Sequence, residues 1–391
     1  MRLSALITAG LLLALLFKGC DYRQASLQPK ALFIGMDGVQ LQHYEQLGAD
    51  TNLRKRLFYG KAYAGGICNR DSKQATNSGP GWITLLTGVW ANKHSVISND
   101  ESLRVDPAFP SLFKRLRDAL PNAYLASIVN WPPINTAYLL EDAQGNNVRE
   151  SGLNDEQVTT RALEILDTTP ADFTFVHFDE PDQVGHSDGF GQAYQLALRE
   201  TDDRLGRLLD KVEERANKNP HEDWLVIVST DHGRDATGKG HGGQSLSEKT
   251  IFIASNKPLN EELTEPSIPE ENPGPDNLYS FAAQTSVAPT VLRHLGLALS
   301  AQWKLDGTPL LGATGVRKAR DIEAAAKLSW NSDAQSAVTI YKNGQVVAHV
   351  QAHDQQWVDP QGMRQLDDYV LELGDTPVAV RTEPEKSQTC N

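Results

Sequence analysis

The stretch Trp224-Leu225-Val226-Ile227-Val228-Ser229-Thr230-Asp231-His232-Gly233 decides the fold. Its first six residues are mostly apolar and β-branched, the pattern of a strand buried on both faces, as in a parallel sheet. The run then breaks into a carboxylate, an imidazole and a glycine. In open α/β sheets, chemistry collects just beyond the carboxyl ends of the strands. Asp231 and His232 are poor core residues at such a place and good metal donors. Other segments supply matching partners. Asp37 follows the predicted strand 31–36, Asp182 and His186 follow the predicted strand 173–178, and His241 lies in Gly240-His241-Gly242-Gly243. Taken singly, each has a blander reading. An Asp after a strand is usually a turn former or helix cap, a lone His is usually a surface or satisfied core residue, and an Asp-x-x-x-His spacing is common. Three carboxylates and three imidazoles, nearly all just after strands, favour a metal centre over six coincidences.

Reading outward gives an alternating order of elements. A helix over 78–86 follows the strand 31–36, and a helix over 111–120 precedes a strand over 124–129. A helix over 155–167 opens on an Asn154/Asp155 cap signal. A helix from about 190 to 216 carries Tyr194, Leu198, Leu205, Leu209 and Val212 on one stripe, which reads as core. Strands over 224–229 and 250–254 follow. This alternation predicts an α/β fold, a doubly wound and mostly parallel sheet with helices on both faces. The Pro-, Glu- and Asn-rich segment 258–277 reads as a long surface loop. Beyond about residue 315 the pattern changes. Val338–Lys342, Asn343-Gly344 and Gln345–Val350 form a hairpin signal, and 369–373 and 378–381 read as further strands. The expected organisation is a signal peptide over 1–19, a catalytic domain over 27–312, a small antiparallel β-sandwich-like domain over 316–382 and a polar tail over 383–391.

Glu180-Pro181-Asp182, Gly185-His186 and Thr230-Asp231-His232-Gly233 resemble the alkaline phosphatase superfamily, within it the type I phosphodiesterase/nucleotide pyrophosphatase branch. The resemblance spans roughly residues 30 to 312. It implies an alkaline-phosphatase-like catalytic domain with two divalent metals, usually zinc. One metal is then expected on Asp182, His186 and His241. The other is expected on Asp37, Asp231 and His232, completed by the oxygen of the nucleophile. Thr87-Gly88, His94 and Asn99 align with the family's Thr-Gly, His and Asn. Counting back from them places Ser78 on the nucleophile, Pro80 on the family's Pro and Asn99 on the phosphoryl contact. Ser78 also reads as a helix N-cap, and both roles suit a helix N-terminus that faces a phosphate. Asn130-Trp131-Pro132, Ala288-Pro289-Thr290-Val291-Leu292, Leu295-Gly296 and Leu305-Asp306-Gly307 resemble further blocks of the family.

Three departures bear on substrate. The nucleophile position holds Ser rather than the Thr usual in this branch. Gly79 stands where nucleotide-cleaving members place a Phe as a base-stacking platform, so Trp82 and Trp131 become the candidates to replace it. Only eight residues separate His232 from His241, where the animal enzymes carry a long insertion. Arg70, Lys73, Lys93 and Arg234 are the nearby cations able to add positive charge, and no third carboxylate cluster for an additional Mg²⁺ is evident. A serine hydroxyl needs an activator at neutral pH. Two cations about 4 Å apart can provide one and can stabilise both oxygens of an in-line displacement. Carboxylate and imidazole donors suit Zn²⁺, and Mn²⁺ and Fe fit the same set. The chain lacks the dinucleotide and P-loop signatures, and Ser78 sits in no Gly-x-Ser-x-Gly elbow.

The remaining expectations concern location and partners. Arg2 precedes an apolar run, Leu3–Phe17, too short to span a bilayer comfortably and typical of a signal peptide. Cys20 after Gly19 resembles a bacterial lipoprotein box, so export to the cell envelope or periplasm with a membrane anchor through a lipid on Cys20 is expected. Cleavage a few residues later and an uncleaved anchor are the alternatives. The formal charge of −13 becomes −15 without Arg2 and Lys18, which argues against nonspecific nucleic-acid binding. Cys68 and Cys390 would remain and could pair outside the cytosol. The expected activity is hydrolysis of a small phosphodiester or pyrophosphate substrate through a phosphoseryl intermediate. A phosphomonoesterase is the first alternative. A sulfatase is less favoured because Trp82 stands where sulfatase maturation motifs carry Arg. A catalytically silent, metal-stabilised binding protein is the alternative of another class.

Overall fold

The computed structural model describes residues 27–265, 278–322 and 325–382. The predicted leader with Cys20, the polar tail and most of the acidic loop 258–277 lie outside the described residues. Eight strands form one sheet: β1 (Gln28–Met36), β2 (Phe58–Tyr63), β3 (Leu125–Val129), β4 (Val148–Ser151), β5 (Phe173–Phe178), β6 (Glu222–Ser229), β7 (Thr250–Ser255) and β8 (Ala282–Ala283). Their order is β4-β3-β5-β1-β6-β7-β2-β8. The five strands from β4 to β6 pair in parallel. β7 runs against both of its neighbours, β6 and β2, so the sheet is mostly parallel, as expected.

Side chains alternate between two cores. From β1, Ala31 and Phe33 enter a cluster with Trp82, Phe113 and Val291. Leu32, Ile34 and Met36 enter a second cluster with Val158, Leu198, Leu205 and Val212. Helices Ser78–Thr87, Leu112–Ala119 and Val287–His294 therefore cover one face, and Asp155–Thr168 and Gln192–Lys218 cover the other. Local chemistry sets their ends. Asn154 and Gln157 make a reciprocal capping box at the start of the 155–168 helix. Gly88, at φ 78°, stops the 78–87 helix in the left-handed conformation.

The chain after the sheet forms two antiparallel sheets over a small core with Leu328, Trp330, Ile340, Tyr369 and Leu371. One holds β9 (Arg317–Ile322), β10 (Lys327–Asn331) and β13 (Gln356–Val358). The other holds β11 (Ala337–Lys342), β12 (Gln345–Gln351), β14 (Asp368–Leu373) and β15 (Thr376–Arg381). Asn343-Gly344 turns the expected hairpin, with both residues at positive φ. Cys68 is held in a disulfide whose other half lies outside the described residues.

The helix Gln192–Lys218 does more than bury its stripe. Tyr194 is fully buried, and its hydroxyl donates to the Gly38 carbonyl and accepts from the Gln40 N–H, both at 2.9 Å. That pair pins the turn that carries Asp37. We expect Tyr194→Phe to strand both backbone groups and lower unfolding free energy by about 1–3 kcal/mol. Urea denaturation checks this, and an unchanged midpoint would show that the hydroxyl adds nothing.

Candidate metal centre

Every predicted donor arrives at one edge of the sheet. Asp37 follows β1 and Asp231-His232 follow β6. Asp182 and His186 sit one turn apart on the helix Glu180–Asp188 after β5, with Pro181 in its first turn. His241 is carried by the short loop after His232. Donor atoms of Asp37, Asp231 and His232 lie within 4.8 Å of one another, and those of Asp182, His186 and His241 do likewise. The two groups adjoin, with the His232 and His241 rings stacked at 3.9 Å between centroids. The first group is wholly buried. In the second, the His186 side chain is half exposed.

The polar bonding leaves these donors short of a partner. Asp231 accepts from the Gly38 N–H through Oδ1, at 3.2 Å, while its Oδ2 is buried with no hydrogen bond. The Nδ1 atoms of His186, His232 and His241 each face a backbone carbonyl, at 2.8, 2.9 and 2.9 Å. In the neutral form of each ring, Nδ1 then carries the proton and Nε2 offers a lone pair inward. His186 Nε2 lies 3.0 Å from His241 Nε2 and 3.1 Å from Asp182 Oδ2, an approach that a shared cation would suit. Burial, then the charges of Asp37 and Asp182, push the Asp231 carboxyl well up. Burial pulls the His232 imidazole down to about 4, which keeps it neutral and able to ligate. The set of three carboxylates and three imidazoles fits divalent cations of the zinc type.

Ser78 begins its helix with Oγ 3.4 Å from Asp37 Oδ1 and 3.4 Å from His232 Nε2. Asn99 is exposed beside it, and its Oδ1 accepts from the Gly79 N–H at 2.7 Å. That contact uses the amide oxygen and leaves the Asn99 NH₂ able to donate. The N-cap place belongs to Asn77 and not to Ser78, which is the first helical residue. Of the free helix N–H groups expected here, that of Gly79 is taken by Asn99 and Pro80 has none, which leaves that of Ser78. A Cβ at Gly79 would lie 2.6 Å from the Ser98 carbonyl oxygen, so the backbone leading to Asn99 occupies the space of a side chain.

Other expectations also change. Trp82 cannot serve as a stacking platform, because it is fully buried and its indole N–H donates to Asp37 Oδ2 at 2.8 Å. Trp131 remains half-buried at the end of β3. Of the four nearby cations, three are engaged: Arg70 with Asp321, Lys93 with Asp306 and Arg234 with Asp182. Arg234 is wholly buried and also donates from Nε to the Gly238 carbonyl at 2.5 Å. Its guanidinium fills room left by Gly38 and Gly185, where a Cβ would collide with it. A further donor group, unseen in the sequence, joins Asp37 to His177 and Asp179. Burial and then Asp37 push the Asp179 carboxyl up to about 7. For His177, burial opposes charging, but its bond to Asp37 outweighs this and raises the imidazole. The missed signal was a lone imidazole inside the otherwise apolar run of β5.

Residues 129–253 match the model of the Metalloenzyme superfamily. The matched region covers about a third of the chain. It holds five of the six predicted metal donors, all but Asp37. A Clostridium botulinum 2,3-bisphosphoglycerate-independent phosphoglycerate mutase is 28% identical over 147 residues, 37% of this chain and 25% of its own length. The mouse ectonucleotide pyrophosphatase/phosphodiesterase family member 3 is 26% identical over 229 residues, 54% of this chain and 25% of its own. The chain thus spans about a quarter of these curated relatives. Among solved structures, a TAB5 alkaline phosphatase mutant with Mg bound superposes with a TM-score of 0.44 at 12% identity, covering 70% of this chain and 99% of that one.

Bound cations should stabilise the fold, because the gathered carboxylates repel without them. At a free-metal concentration 100-fold above Kd, each site should add about 2.7 kcal/mol. Thermal melts of chelated protein with and without added Zn²⁺ check this. Superimposable melts would count against a metal centre.

Proposed function

We propose that the chain is an exported two-metal phosphohydrolase that cleaves phosphodiester or pyrophosphate bonds through a phosphoseryl intermediate. The observation that carries this reading is the position of Ser78 Oγ, 3.4 Å from donor atoms of both Asp37 and His232. Asp37, Asp231 and His232 would hold one cation and Asp182, His186 and His241 the other. Bound there, they would lower the pKa of the serine hydroxyl and stabilise the attacking and leaving oxygens. Ser78 attacks phosphorus, the bond to the leaving alcohol breaks, and a phosphoserine ester forms. Water then attacks that ester and regenerates the hydroxyl. The Asn99 amide donates to a non-bridging oxygen and fixes the phosphoryl group for in-line attack.

Charge favours a diester over a monoester. A monoester dianion puts more charge on the transferred group and calls for extra positive donors around it. Asn99 is neutral, and Arg70, Lys93 and Arg234 are committed to carboxylates. The Ser98 backbone fills the place of a ring at position 79, so discrimination among nucleobases should be weak. Export is supported by the apolar leader in the sequence and by the Cys68 disulfide, a bond that persists in oxidising compartments. Among the described residues, no helix is long and apolar enough to cross a membrane. The lipid on Cys20 is part of this proposal. Cys20→Ser should abolish membrane association, and an unchanged membrane fraction would reject the anchor.

Ser78→Ala should abolish turnover while leaving the fold intact, because Ser78 follows the N-cap residue Asn77 and its hydroxyl caps no backbone N–H. Asn99→Ala should slow the reaction about 10²-fold, as removal of an oxyanion donor does. Aryl phosphodiester, phosphomonoester and sulfate ester substrates, assayed with and without chelator, test the substrate class. Near-normal activity in Ser78→Ala would reject the nucleophile, and a tenfold or greater kcat/KM preference for the monoester would make the chain a phosphomonoesterase.

A further inference from the structure

Asp37 is the one carboxylate shared by Ser78, His232 and the donor group with His177 and Asp179. Its two oxygens have different surroundings. Oδ1 faces the reaction side, 3.4 Å from Ser78 Oγ and 3.5 Å from His232 Nε2. Oδ2 faces inward and meets the Trp82 indole N–H at 2.8 Å and His177 Nε2 at 3.0 Å. Both partners are fully buried and meet edge to face, with ring centroids 4.8 Å apart. The backbone N–H of Trp131 approaches His177 Nδ1 at 3.5 Å. Neutral or charged, the His177 ring presents Nε2–H to Asp37.

Indole nitrogen is a donor only. Two N–H donors on one carboxylate oxygen take up its accepting capacity and leave Oδ1 for a cation. The room for this arrangement is built in. Gly35 pairs with His177 across β1 and β5, and a Cβ there would lie 2.5 Å from the Trp82 ring.

We propose that Trp82 and His177 are positioning residues that lock the inner oxygen of Asp37, so that the group Asp37, His177 and Asp179 is a support built on the bond between Asp37 and His177 and not a third cation site. The proposal rests on the two-metal reading of the Ser78 site. The support fixes the rotation of the carboxylate and so the placing of the cation beside Ser78. Asp179 is held apart from it by its own partners: its Oδ2 accepts from Gln183 at 2.6 Å and its backbone N–H donates to Asp155 at 3.0 Å.

The test titrates chelated protein with Zn²⁺ and measures turnover of an aryl phosphodiester. His177→Leu keeps bulk and removes the donor, and His177→Gln keeps a donor. His177→Leu should weaken one of two Zn²⁺ sites and lower kcat, each by about 10–100-fold, as loss of an outer-shell partner does. KM should stay within about twofold, since the support acts on the reaction geometry and not on substrate affinity. His177→Gln should restore most of both losses. Trp82→Phe reads the same oxygen from the other donor and serves should His177→Leu fail to fold. Wild-type Zn²⁺ affinity and kcat in folded His177→Leu and Trp82→Phe would overturn the proposal. So would three Zn²⁺ per wild-type chain, with one lost in both His177→Leu and Asp179→Asn. Two tightly bound Zn²⁺ without diesterase activity would instead reject the proposed function, and the affinity titration would still decide on the support. A wild-type chain that takes up no Zn²⁺ would overturn both.

Discussion

The crowding of like charge at the strand ends is the constraint on which the rest depends. Asp37 and Asp231 bring oxygens within 4.8 Å of each other in a fully buried setting. At that separation, with an effective dielectric of about 20, two carboxylates repel by about 3–4 kcal/mol. Domains of this kind are stable by only about 5–15 kcal/mol in total. A fold that holds such a cluster needs positive charge or protons in it, and the raised Asp231 carboxyl expresses that need. Three imidazoles whose Nδ1 atoms face backbone carbonyls leave their Nε2 atoms suited to a metal ion in that place.

Around this core, the protein fixes the far side of each donor. The inner oxygen of Asp37 meets Trp82 and His177, Asp182 meets Arg234, and the three imidazoles meet backbone carbonyls. These partners come from both faces and several strands of the sheet. They use the rigidity of two packed cores to set donor directions. Glycines at 35, 38 and 185 are the spatial condition for it, since each leaves the volume that Trp82 or Arg234 fills.

Much of this was legible because it is local. The run into Asp231-His232, the capping signal at Asn154 and the Asn343-Gly344 turn each depend on a few neighbouring residues, and the elements form where those residues lie. Most of the donors were legible for the same reason, as they follow a strand or sit one helical turn from another, while His241 lies in a glycine-flanked loop. The supporting residues were not. Trp82 read as a candidate stacking ring, and only the approach of β1 shows that its N–H meets Asp37. Arg234 looked like a cation for substrate, whereas its burial against Asp182 depends on Gly38 and Gly185, from two other elements. Tyr194 was legible as core by its helical period, but its hydroxyl contacts with Gly38 and Gln40 cross more than 150 residues of chain.

The two donor groups differ in access to water. Asp37, Asp231 and His232 are sealed, while His186 stands half open. An ion at the sealed group leaves only when the surrounding structure opens. An ion at the other group could trade with the medium past one half-exposed imidazole. Residence times would then separate: an inner ion would behave as a permanent part of the protein, and an outer one would follow the composition of its surroundings. A chain of this design would keep its architecture through scarcity and lose only its outer ion.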